Sequence, residues 1–203
     1  MNSPNCEISD DLLDDDLKAS LLETIQWIPL YFLNRQERYG SDELDCHWYY
    51  PIAFGDNLFF NKAQATMDAL DESLAPVQRC WEAIRRSHKE PVVLYDCMLS
   101  SNSFGTEGRV HRDLNEKDAA FSARHVTALV YCSKSWKANW GGETLVFGED
   151  ENILMATLPK PGRVLKIFGD PPHVGRGVSR TCPSDRRVLA FKYLVSETPA
   201  EHA

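Results

Sequence analysis

Apolar positions recur at two different spacings along this chain, and the change from one to the other falls near residue 91. Leu12, Leu13, Leu17, Leu21 and Ile25 recur at helical spacing, which predicts an early amphipathic helix with Ser9 or Asp10 as its N-cap. The run Asp14-Asp15-Asp16 then falls on or near the exposed side of its first turns, where negative charge suits the helix dipole. Between Asn61 and Ser87 a second apolar stripe appears: Met67, Leu70, Leu74, Val77, Trp81 and Ile84. Pro76 should kink this stripe or divide it into two helices. Residues 26–60 are rich in aromatics and read as strands and loops, with Gly40-Ser41-Asp42 a turn or entrance loop.

After Pro91 the pattern is β. Val92–Leu99, Val126–Cys132, Glu143–Phe147, Arg163–Phe168 and Arg187–Val195 are short apolar or alternating runs, parted by turn signals at Gly105, Gly141-Gly142, Pro159 to Gly162 and Gly169 to Pro172. Helices followed by closely spaced strands predict an α+β chain whose sheet closes into a sandwich or barrel. No internal repeat, low-complexity tract or linker divides the chain, so residues 1–203 read as one domain. Within it, 1–10 is expected to be a flexible tail and 11–90 a helical and aromatic-rich part. Residues 91–195 form the β core, and 196–203 a second tail.

Bulk properties narrow the function classes. Hydrophobic content of 43% and charged content of 26% are ordinary for a globular domain, and no apolar run approaches the roughly 20 residues needed to span a bilayer. The first ten residues lack the basic and apolar regions of a signal peptide. A net charge of -8 argues against nucleic acid as a partner, because phosphate binding needs surplus cations. The six cysteines are widely spread with no C-x-x-C pair, which fits reduced thiols and a cytoplasmic setting.

The candidate chemistry lies in the β part. His111 and Asp113 are separated by one residue, and in a strand both would point to one face while Arg112 points away. Two imidazoles and a carboxylate are the ligand set of a facial triad for Fe(II), with His173 the third member from a later strand. The other histidines, His47, His88, His125 and His202, read as ordinary hydrogen-bonded or tail residues.

The pieces around these residues occur in a recognisable order. They are Phe104-Gly105-Thr106-Glu107-Gly108, His111-Arg112-Asp113, Thr127-Ala128-Leu129-Val130-Tyr131, Trp140-Gly141-Gly142-Glu143-Thr144, Pro159-Lys160-Pro161-Gly162-Arg163, Pro172-His173-Val174 and Arg186 to Tyr193. From Ser103 to Tyr193 the chain resembles the prolyl 4-hydroxylase-like superfamily of 2-oxoglutarate/Fe(II)-dependent dioxygenases. That resemblance implies a double-stranded β-helix, a jelly-roll or cupin-like barrel, with supporting N-terminal helices. It also implies Fe(II) on His111, Asp113 and His173, with 2-oxoglutarate and O2 as cosubstrates and ascorbate as an accessory reductant.

For the distal carboxylate of 2-oxoglutarate the resemblance favours Arg186 over Arg187. Strand alternation places Arg186, Val188, Ala190 and Lys192 on one face, so only one of the adjacent arginines points inward. Tyr131 matches a position where the family sets a tyrosine hydroxyl beside that arginine, and a core aromatic is the competing reading. Thr127 shares its face and is expected to line the cosubstrate pocket. Arg109 is open between substrate contact and an ion pair with Asp113 or Glu107.

The implied reaction is oxidative decarboxylation of 2-oxoglutarate to succinate and CO2, coupled to hydroxylation of an unactivated C–H bond. Related halogenases replace the carboxylate ligand with a small residue, so Asp113 favours hydroxylation. The expected substrate is a small molecule, such as a free amino acid or natural-product intermediate, with peptidyl proline as the alternative. A non-catalytic cupin-like ligand-binding protein and a cupin with another reaction, such as an isomerase, are the competing classes. The segment Trp48–Phe60 and the loop Leu114–Ala123 are expected to act as lid or specificity elements.

Overall fold

The computed structural model describes residues 6–35, 45–54, 60–114 and 121–196. Among these described residues, ten strands and three α-helices follow one another as β1 (Cys6–Ser9), α1 (Asp15–Trp27), β2 (Tyr31–Arg35), β3 (Asp45–Phe54), α2 (Phe60–Asp68), α3 (Ala75–Arg86), β4 (Val92–Asn102), β5 (His125–Tyr131), β6 (Thr144–Phe147), β7 (Ile153–Thr157), β8 (Val164–Phe168), β9 (His173–Gly175) and β10 (Arg186–Val195). The strands form a seven-stranded sheet, ordered β1-β8-β5-β10-β4-β3-β2, and a three-stranded sheet, ordered β7-β6-β9. All pairings are antiparallel, and from β7 to β10 successive strands alternate between the two sheets, consistent with a double-stranded β-helix.

The large sheet buries both faces for different reasons. Its outer face receives Leu17, Leu21 and Ile25 of α1 and Val77, Trp81 and Ile84 of α3 against Val126, Ala128, Val130, Leu189 and Phe191. The Trp81 ring stacks on Phe191 at 5.7 Å and meets Tyr193 edge-on at 5.3 Å. Truncating such a buried indole to alanine typically costs about 3–5 kcal/mol. The inner face packs Leu129, Tyr131, Leu165, Val188 and Ala190 with Val146 of the small sheet. The alternation along β10 sends Leu189 and Phe191 to the helices and leaves Arg186, Val188, Ala190 and Lys192 to line a cavity between the sheets.

Several boundaries differ from the sequence expectation. The early helix is capped by Asp14, whose carboxylate accepts from Leu17 N at 2.8 Å, rather than by Ser9 or Asp10. Residues 6–9 are not a tail: they pair with β8 from Cys6↔Ile167 to Ser9↔Val164. Asp10 then pins the chain through Arg163, at 2.7 and 2.9 Å, and Lys160 at 3.1 Å. Four residues carry too little alternation to signal such an edge strand, and its partner lies more than 150 positions away.

Strands β7 and β9 also escape the apolar pattern, being five and three residues long. The second helical stripe divides as Pro76 demands. α2 ends at Asp68, a short 3-10 turn spans Glu72–Leu74, and α3 begins with the proline in its first turn, where no backbone donor is needed. Gly40-Ser41-Asp42 lies outside the described residues, as do parts of the two expected lid segments.

Candidate metal and cosubstrate site

The cavity between the sheets has a volume of about 520 Å³ and collects residues from both. His111 and His173 enter it through an isolated antiparallel bridge joining a loop to β9. The sequence expected His111 and Asp113 to share a regular strand. Instead the chain leaves β geometry after His111 and bends, and Asp113 still turns inward. Asp170 makes this possible. Its carboxylate accepts from Asp113 N at 2.8 Å and Leu114 N at 3.3 Å, replacing the partners a strand would supply.

One ligand atom from each of His111, Asp113 and His173 lies within 4.8 Å of the others. His111 Nε2 is 3.7 Å from Asp113 Oδ1, and His173 Nε2 is 3.5 Å from Asp113 Oδ2. The imidazole Nδ1 atoms face the wrong way for a ligand but the right way for a proton. They sit 3.0 Å from the Arg109 and Pro171 carbonyls, which can only accept. The hydrogen is therefore assigned to Nδ1, and each Nε2 lone pair points into the cavity.

Burial, and then the neighbouring His173, lowers the His111 pKa to about 4, although one edge of its ring opens to the cavity. Burial works against the Asp113 charge, but Lys192 and the two imidazoles outweigh it and hold the carboxyl well below its usual range. Two imidazoles that present Nε2 and an ionised carboxylate fit a divalent first-row cation such as Fe(II).

Arg186, 3% exposed, lies beneath the small sheet. Its Nε donates to Gly142 O at 2.7 Å and its Nη2 to Thr144 Oγ1 at 2.8 Å, and the guanidinium lies 5.6 Å from the Tyr131 ring centroid. Gly142, with φ +75°, and Gly175 leave the room it needs. A Cβ on Gly175 would stand 2.9 Å from Arg186 Nη1. Arg187 points away and bonds Asp185 at 2.7 Å and the Ile25 carbonyl at 2.8 Å.

Tyr131 has no exposed surface, and its hydroxyl donates to Thr144 Oγ1 at 2.7 Å, the atom that Arg186 Nη2 also bonds. Thr127 lines the cavity, but its hydroxyl donates to Asp113 Oδ2 at the metal end. Arg109 also lines the cavity, while Glu107 pairs with Arg176 at 2.9 Å.

Other residues around the cavity had no clear sequence signal. Asn102 and Thr144 meet Arg186 only through sheet packing, and His47 lines the cavity rather than sitting in the core. Lys192 places its ammonium 2.7 Å from Asp113 Oδ1. Alternation from Arg186 already set it on the inner face, and that was the available signal. His125 behaves as expected, held between the Gly169 carbonyl and the Tyr95 hydroxyl, each at 2.7 Å.

A family model for the 2OG-Fe(II) oxygenase superfamily matches residues 97–195, which run from β4 through β10 and include every residue of the triad and Arg186. No curated protein matches the chain at a significant level. Among solved structures, a prolyl-4-hydroxylase from Pseudomonas putida is similar with a TM-score of 0.59 and 17% identity, covering 96% of this chain and 94% of that one. A Trichoplax adhaerens prolyl hydroxylase in complex with a hypoxia inducible factor peptide gives 0.60 and 15%, covering 96% and 85%.

A non-heme α-ketoglutarate-dependent epimerase, SnoN from nogalamycin biosynthesis, gives 0.55 and 13%, covering 95% and 78%. At these identities the likeness speaks for the fold. The family match adds the chemistry, since its members use Fe(II), 2-oxoglutarate and O2. With a His-Asp-His group able to hold iron at the centre of that fold, the family match over residues 97–195 and the structural likenesses indicate a 2-oxoglutarate- and Fe(II)-dependent oxygenase.

Proposed function

We propose that the protein hydroxylates an unactivated C–H bond of a small molecule, such as a free amino acid or a natural-product intermediate. In this reading Fe(II) is held by His111, Asp113 and His173, and the distal carboxylate of 2-oxoglutarate by Arg186. The iron, with 2-oxoglutarate and O2, supplies the oxidising power; the chain binds, orients and excludes water. Arg186 offers a planar guanidinium already fixed by Gly142 and Thr144, so little freedom is lost when a carboxylate docks. Asp113 occupies the carboxylate position that halogenation would need open, which favours hydroxylation.

The observation that carries the small-molecule reading is the cavity itself. Its roughly 520 Å³ must serve cosubstrate and substrate together and lies in the middle of the range for small-ligand pockets, about 300–1,000 Å³. Tyr49, Pro51, Phe54 and Met98 give the remaining wall an apolar and aromatic character suited to a small organic substrate. A cytoplasmic setting, where ferrous iron and 2-oxoglutarate are at hand, goes with this reading, and no helix among the described residues is long and apolar enough to cross a membrane.

Peptidyl-proline hydroxylation is the second reading. It is favoured by the edge of β2, beside which no further strand lies among the described residues, with exposed Tyr31, Phe32 and Trp48 able to flank an extended peptide, and by two structural relatives that are prolyl hydroxylases. Substrate-stimulated succinate formation, screened with free amino acids and proline-containing peptides side by side, separates the two. Turnover with peptides alone would sink the first reading.

A further inference from the structure

Asp96, Lys192 and Thr127 stand in one row across three neighbouring strands. Lys192 of β10 is in register with Asp96 of β4 on one side and with Thr127 of β5 on the other. The row ends on Asp113. Lys192 Nζ lies 2.7 Å from Asp113 Oδ1 and 3.7 Å from Asp96 Oδ2, and the Thr127 hydroxyl donates to Asp113 Oδ2. The two carboxylate oxygens are thus divided between an ammonium and a hydroxyl, and the Asp113 side chain is 1% exposed.

We propose that Lys192 is a positioning residue of the metal centre. Its ammonium holds Asp113 in one orientation and, as a cation beside a ligand oxygen, sets the divalent-ion affinity below what the three ligands alone would give. The proposal rests on the reading of His111, Asp113 and His173 as the metal ligands.

Two effects oppose each other, and their sizes decide the sign. Freezing one carboxylate rotor strengthens binding by a factor of about three, given the entropy of a single side-chain torsion. The repulsion between a unit cation and a dication sharing one buried carboxylate is far larger, because the site excludes most of the water and salt that would screen it. Asp96 moderates the repulsion by drawing on the same ammonium. Lys192 therefore weakens metal binding, and Asp96 restores part of the loss.

The test uses Co(II) alone as the probe, titrated at pH 8 into the full-length protein and followed by its visible bands and by calorimetry. K192M keeps the length of the side chain and removes the charge, so it should bind Co(II) about tenfold more tightly than wild type. K192R should stay within about threefold of wild type, since it returns the charge. D96N leaves Lys192 undiluted against Asp113 and should bind about threefold more weakly.

Equal or weaker binding by a folded K192M overturns the proposal. Where K192M fails to fold, as judged by circular dichroism, equal or tighter binding by D96N overturns it instead. H173A separates the two levels. If wild type binds Co(II) and H173A does not, the metal assignment stands and the K192M and D96N results judge Lys192 alone. If H173A binds like wild type, the triad assignment falls and the proposal falls with it.

Discussion

His111 and His173 exchange both of their backbone hydrogen bonds, N to O at 3.0 Å in one direction and 2.9 Å in the other. This single bridge stitches an irregular loop to β9 and sets the two imidazoles 4.6 Å apart, centroid to centroid. The side chains that would hold a metal are therefore placed by main-chain geometry, before any metal is considered. H173A removes a ligand without touching that bridge. It should keep its fold and lose at least about 100-fold in Co(II) or Fe(II) affinity, as measured by calorimetric titration.

Arg186 and Arg187 are adjacent but point to opposite sides of β10. R186M should raise the Kd for 2-oxoglutarate by about 10–100-fold, the loss of a bidentate charged contact, while R187M leaves it near wild type. Binding of 2-oxoglutarate to the Mn(II)-loaded protein measures both. Equal losses in the two variants would argue against Arg186 as the anchor.

Gly175 offers a subtler test of the same contact. An added Cβ would press on Arg186 Nη1, Cζ and Nη2 at 2.9, 3.0 and 3.1 Å, so the guanidinium must shift. G175A should weaken 2-oxoglutarate binding by about tenfold, because misplacement of about 1 Å is costly in such sites. Its affinity for Co(II) alone should hardly change.

Tyr131 contributes a hydroxyl that Thr144 accepts in a fully buried setting. Y131F deletes that bond and leaves Thr144 Oγ1 with Arg186 alone. A loss of about 1–2 kcal/mol in unfolding free energy by urea titration is expected, with a change in 2-oxoglutarate affinity smaller than that of R186M. A larger effect on affinity than on stability would return the tyrosine to direct cosubstrate binding.

Asp10 carries a pH dependence. The side-chain hydrogen bond from Arg163, against a burial cost, holds its carboxyl well below the usual range. A folded pKa below the unfolded value of about 3.9 means that its stabilisation is full above that value and fades as pH falls through the folded pKa. D10N should therefore cost about 1 kcal/mol at neutral pH, the worth of a partly exposed bidentate pair. Denaturant midpoints of the two proteins should converge only below about pH 4.

Much of this arrangement is legible in the residues themselves. The stripes Leu13-Leu17-Leu21-Ile25 and Val77-Trp81-Ile84 pack on the sheet, five β runs appear close to where their patterns end, and β10 alternates as its sequence demands. That alternation lets only one of Arg186 and Arg187 point inward, and the resemblance to the family favours Arg186. What stays hidden is non-local. Asp170 pins Asp113 from 57 positions away, and Asn102 and Thr144 reach Arg186 across 84 and 42 positions. No local pattern encodes such pairs.

The sequence by itself determined the candidate ligand types, their order, the one face that Arg186 and Lys192 share, and the two helical stripes ahead of the β core. These depend on side-chain chemistry and on the periods of helix and strand, which are local properties. Only the tertiary structure decided that His111 and Asp113 meet through a bend rather than a strand. The same holds for the hydroxyl of Thr127, which bonds Asp113, and for the lysine that lies against the Asp113 carboxylate. Those outcomes depend on the register between strands and the approach of two sheets, set by packing across the whole chain.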